Sequence, residues 1–133
     1  GLIEEKLHNM FGYHKSLLMN TGVEAANAVK FARRWGYEVK HVPHDSATVL
    51  FAKGNFWGRT IAACASSDDP DRYRHFGPFK GLIFNLLTTL LELIITALEA
   101  NPNIVAFMVE PIQGERGVIV PPEGKTLFKI KDI

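Results

Sequence analysis

Two stretches of this sequence put stacking, cationic and acidic side chains where small polar turn residues are the norm. "GNFWGRT", residues 54 to 60, sets Phe56 and Trp57 between glycines and follows them with Arg59. A flat aromatic face stacks on planar heterocycles, and a guanidinium grips a carboxylate through two parallel hydrogen bonds. The same residues also suit a turn whose aromatics plug the core while Arg59 faces water. "EPIQGE", residues 110 to 115, carries two carboxylates, Glu110 and Glu115, able to hold an arginine or a cofactor group. Its competing reading is a strand exit with solvated acids. "NTGVEA", residues 20 to 25, pairs Thr21 with Glu24 as a T-x-x-E capping box around Gly22. Free N–H groups at a helix start attract anions and glycine lets a phosphate approach closely, although a plain capped helix needs no ligand. The stretch is neither a P-loop nor a G-x-G-x-x-G turn.

Other candidates are weaker. "HVPHD" holds His41, His44 and Asp45, but Pro43 and the lack of helical H-x-x-x-H spacing argue against a metal site. His75 is isolated and reads as structural or solvated. A formal charge of +1 without any Lys/Arg run points to no nucleic-acid partner. Cys64 is the single cysteine, so no intrachain disulfide forms and a reducing compartment fits. Residues 82 to 98, "LIFNLLTTLLELIITAL", carry Asn85 and Glu92. Leu87, Leu90, Leu91, Ile94 and Leu98 share one helical stripe, and Thr89 with Glu92 makes a second capping box. An amphipathic helix is expected there and no membrane span. Gly1 to Lys6 show no basic region leading into an apolar run, and the chain opens without Met, so it reads as a piece of something longer.

With 133 residues, 47% of them apolar, one modest domain with a buried core is expected. Residues 2 to 11 read as a helix ending near Gly12, and "HKSLLMN" as a strand centred on Leu17 to Met19. A helix starts at Thr21, repeats Ala25, Ala28, Val29, Ala32 and Trp35 on one face, and stops at Gly36. Thr48 to Ala52 read as a strand and "TIAACASS" as a helix. A polar loop follows, then a short strand "LIFN", the helix from Thr89, and "IVAFMVE" as a strand buried on both faces. This alternation predicts an α/β fold with a mostly parallel sheet flanked by helices. Ligands of such sheets bind beyond the carboxyl ends of strands, which places "NTGVEA", "GNFWGRT" and "EPIQGE" at one edge.

Taken in order and at their spacings, "MNTGVEAANAVKFARRWGY", "AKGNFWGRT", "FGPF" and "AFMVEPIQGERGVIVP" resemble the ornithine aminotransferase family of class III pyridoxal-phosphate enzymes. The resemblance covers residues 13 to 121. It implies part of the family's large cofactor-binding domain (fold type I), with 80–96 and 122–133 diverging. It implies pyridoxal 5'-phosphate as cofactor, its ring stacked on Phe56 and its phosphate held by the backbone of Gly22 and Val23. Trp57 and Arg59 fall on the substrate side, Arg59 as the carboxylate grip. Glu110 and Glu115 fall in the active site, Glu115 as partner of an arginine that switches between substrates. The implied reaction moves the δ-amino group of ornithine to 2-oxoglutarate in a dimer, in the mitochondrial matrix or cytoplasm.

The family's cofactor-linking lysine lies downstream of "EPIQGE". Lys125, Lys129 and Lys131 stand in no matching context. The chain is therefore expected to be inactive alone, with no catalytic residue assigned. The rival expectation is a non-catalytic module that pairs with a full-length subunit. Self-association through "IVAFMVE" is expected in either case, because a severed parallel sheet leaves bare edges.

Overall fold

The computed structural model describes residues 1–79, 84–87 and 91–121. Its centre is β1 (Thr48–Ala52), flanked in parallel by β2 (Phe84–Leu87) and β3 (Ile104–Met108) in the order β2-β1-β3. Val49 pairs with Phe84 on one side and with Ala106 on the other. Every residue of β1 is buried, as the middle strand of a covered parallel sheet requires. Six helices complete the described fold: α1 (Leu2–Phe11), α2 (Gly22–Ala25), α3 (Asn27–Glu38), α4 (Ile61–Ala65), α5 (Pro70–Tyr73) and α6 (Leu91–Ala100). Val29 of α3 packs on Val49 and Phe51, with Trp57, Val105, Ala106 and Met108 around them. No helix among the described residues is long and apolar enough to cross a membrane.

Several local expectations hold. Helix α1 ends where Gly12 turns left-handed at φ 72°. Thr21 accepts from the Glu24 amide while the Glu24 side chain reaches back, completing the capping box. Thr60 caps α4 by accepting from the Ala63 amide.

Others need correction. Residues 14–20 form no strand: among the described residues nothing pairs with them, and an extended segment becomes a strand only when a neighbour completes its ladder. Leu17 is 71% exposed there. The helix from Thr21 is two helices, because the Asn27 side-chain amide takes the Glu24 carbonyl at 2.9 Å and competes with the continuing backbone bonds. Gly36 does not stop α3, which runs on to Glu38. A Cβ at Gly36 would lie 2.3 Å from Cγ1 of Val105, so the glycine is there to let α3 sit on β3. The polar loop contains α5, started by Asp69 as cap and Pro70 at the first helical position. Strand β3 is half-buried beyond Ile104 rather than covered on both faces, since it lies at the described sheet's edge. Thr89, Leu90, Lys80, Lys125, Lys129 and Lys131, with the first two residues of "LIFN", lie outside the described residues.

Candidate functional site

The turn that leaves β1 is held from several sides. Gly54 adopts φ 75°, and a Cβ there would come within 3.0 Å of Arg116 and 3.3 Å of Gln113, so only glycine fits. Its amide donates to both carboxylate oxygens of Asp68, at 3.1 and 3.3 Å. Buried Asn55 donates through its side chain to the carbonyls of Ala52 and Ser66. Gln113 donates to the carbonyl of Lys53 at 2.8 Å, and the Phe56 amide donates to Oε1 of Glu110 at 2.7 Å. The ends of β1 and β3 are thereby joined, as the position of their loops in the sequence predicts.

Trp57 and Phe56 are held differently. The indole of Trp57 stacks on Phe51, with centroids 5.2 Å apart and planes 19° from parallel, and its Nε1 donates to Oγ of Ser66 at 2.6 Å. Trp57 is thus the core plug, with one side left to the cavity. Phe56 is half-buried, and the Arg72 guanidinium carbon lies 4.6 Å from its ring centroid. Both aromatics line a cavity of about 320 Å³, at the small end of small-molecule sites.

Arg59 also lines this cavity and is exposed, with no ion pair to its guanidinium among the described residues. Glu115 lines it from the opposite loop, which Gln113 and Ile119 close by exchanging two 3.0 Å backbone bonds. Glu110 is half-buried and its Oε1 accepts from the Phe56 amide, so it is not a purely solvated acid. Gly22 and Val23 are exposed and are not among the residues lining the cavity. The third expected stretch therefore contributes nothing to the lining of this cavity. His44 lies 3.2 Å from Asp45 at an exposed corner, and no metal-binding group of three ligands occurs among the described residues.

Arg72, Asp68 and Arg116 are the residues that sequence reasoning missed. Arg72 lies 3.6 Å from Glu115 and 3.3 Å from Asp69, and Arg116 lies 2.9 Å from Asp68. The one legible signal for Arg72 was Asp69-Pro70, which starts a helical turn and sends a side chain two residues on toward the cavity.

The lining suits a planar anionic ligand: an aromatic plate with an exposed guanidinium beside it. No lysine among the described residues lines the cavity, so the residues that do can stack and charge-match such a ligand but not link to it. Glu110→Gln, which keeps an oxygen acceptor but loses the charge, is expected to cost about 1 kcal/mol of stability by urea denaturation, because charge-assisted bonds to amides are the stronger ones.

The family model "Aminotransferase class-III" matches residues 1–133. A protein of Drosophila ananassae named "Ornithine aminotransferase, mitochondrial" is 48% identical over 138 residues, covering 100% of this chain and 31% of its own length. The Rattus norvegicus protein of that name is 52% identical over 125 residues, covering 93% and 28%. The crystal structure of the Toxoplasma gondii ornithine aminotransferase superposes with a TM-score of 0.76 at 50% identity, over 91% of this chain and 29% of that one. The 133 residues thus span about 30% of the length of these relatives. With a parallel sheet, an aromatic-arginine turn at its carboxyl edge and this coverage, the chain belongs to the class III aminotransferases and represents part of an ornithine aminotransferase-like protein.

Proposed function

We propose that these residues form the part of an ornithine aminotransferase that stacks pyridoxal 5'-phosphate and receives the substrate carboxylate. The observation that carries the reading is the pinned turn itself: Phe56 held by Glu110, with Arg59 free beside it in the same cavity. Bound there, the cofactor would supply the electron sink for moving an amino group. Phe56 would hold the ring by its face, Arg59 would orient the acid through a bidentate contact, and Trp57 and Phe76 would keep water from one wall. The substrates in this reading are an amino acid, ornithine by its relatives' names, and an oxo-acid, 2-oxoglutarate. The phosphate role of Gly22 and Val23 rests on the resemblance alone.

The fly and rat relatives are named mitochondrial, which supports a mitochondrial matrix setting; the Plasmodium falciparum relative carries no such label. Exposed Leu17, Leu18 and Val23 suit a chain that covers a third of its relatives, with pairing to a second copy as a further part of the reading. The interaction-module reading is not favoured, because these relatives are all aminotransferases.

Titration of the chain with pyridoxal phosphate, followed by tryptophan fluorescence, tests the proposal. Reversible binding is expected, weakened roughly tenfold by Phe56→Ala, since base–aromatic stacking contributes about 1–3 kcal/mol per ring. No binding by the wild-type chain would overturn it.

A further inference from the structure

We propose that Arg72 is a positioning residue of this site, holding the Phe56 ring and the Glu115 carboxylate so that Arg59 alone is left to take an incoming acid. The inference rests on the function proposed above and assigns the division of labour between its two arginines.

Arg72 is placed by a short but well-specified element. Asp69 caps α5 by accepting from the Asp71 amide at 3.1 Å, and Pro70 fixes the first helical residue. The side chain that follows reaches three partners. Its Nε lies 3.3 Å from Oδ2 of Asp69, its Nη2 lies 3.6 Å from Oε2 of Glu115, and its guanidinium carbon lies 4.6 Å from the Phe56 centroid. It is 27% exposed, against 53% for Glu115. Two carboxylates and a ring face thus already engage its guanidinium, so a ligand carboxylate would have to share it with Asp69 and Glu115. Arg59 is the opposite case, exposed and without an ion pair among the described residues.

Two consequences follow for the site. A bare Glu115 in the cavity wall would repel a phosphate or carboxylate, and Arg72 offsets that charge. The Phe56 backbone is fixed by Glu110, but its ring is free to rotate unless something engages a face; Arg72 does so, and a ring already held loses less freedom on binding. A lysine would keep the charge beside Glu115 but not the planar stack, because an ammonium is a point charge on a flexible stem.

The experiment measures affinities of the chain for pyridoxal phosphate and for 2-oxoglutarate, with thermal melts run in parallel. Arg72→Met is expected to weaken pyridoxal phosphate binding about three- to tenfold, the range of a partly desolvated cation–ring contact. Arg72→Lys should recover part of that loss. Arg59→Met should leave the cofactor affinity near wild type and weaken 2-oxoglutarate. Adding Glu115→Gln to Arg72→Met should soften the Arg72 effect, a coupling that a merely structural role would not produce. Wild-type cofactor affinity in Arg72→Met, or tighter binding, overturns the proposal while leaving the proposed function standing. Failure of the wild-type chain to bind overturns both. Should Arg72→Met lose its cooperative melt, Arg72→Lys decides alone: weaker cofactor binding supports the assignment and unchanged binding overturns it.

Discussion

Phe51→Ala should remove about 3–5 kcal/mol of unfolding free energy, the usual cost of emptying a buried aromatic site. Phe51 is fully buried in the central strand, so its neighbours cannot close the gap by swinging out to solvent. Val29 of α3 packs on it from above, and Trp57 stacks on it at 5.2 Å. That second contact carries the effect into the site. With Phe51 gone, the indole keeps its 2.6 Å bond to Ser66 but loses the surface it lies on, and the cavity wall beside Phe56 loosens. Since a domain's whole margin is about 5–15 kcal/mol, the variant is expected to melt early or fail to fold. Phe51→Leu, closer in volume, should cost less and keep a measurable transition. Urea denaturation reads both. A loss under about 1 kcal/mol for the alanine variant would mean that Phe51 is not the keystone of this sheet.

The residues that could be read from sequence are those whose reasons are local. Thr21 with Glu24 and the helix start at Thr60 are decided within one helical turn, and both form as the sequence implies. The strand at Thr48–Ala52 was legible from a short β-branched and apolar run between Ser46 and Gly54. The break between α2 and α3 has a local cause, Asn27 on the Glu24 carbonyl, but other failures are matters of distant partners. Leu17 to Met19 have strand-like composition, yet a strand is a property of two segments and the second is missing among the described residues. Whether Phe56 or Trp57 plugs the core depended on where Phe51 and Ser66 stand, and it is Trp57 that meets both. Arg72 was hidden for the same reason: its partners Phe56 and Glu115 lie 16 and 43 positions away in the chain, a separation no local pattern encodes.

Gly36 shows the same dependence in its sharpest form, and Gly36→Ala is expected to lower stability by about 1–3 kcal/mol, the range for overpacking. On helix propensity alone the change should help, by about 1 kcal/mol, because alanine is the best helix former and Gly36 lies within α3. The new methyl, however, would stand 2.3 Å from Cγ1 and 3.3 Å from Cβ of Val105. Val105 is β-branched and stiff at χ1, so it has little room to yield, and α3 must lift from β3 instead. Strand β3 leads directly to Glu110, whose carboxylate holds the Phe56 amide. The substitution is therefore expected to weaken pyridoxal phosphate binding as well as stability, though Gly36 is no part of the cavity lining. Val105→Ala supplies the control. In that background Gly36→Ala should cost little or become stabilising, because the clash is gone and the propensity gain remains. Equal losses in both backgrounds, read by denaturant midpoints, would show that the contact between α3 and β3 does not set the spacing of the two elements.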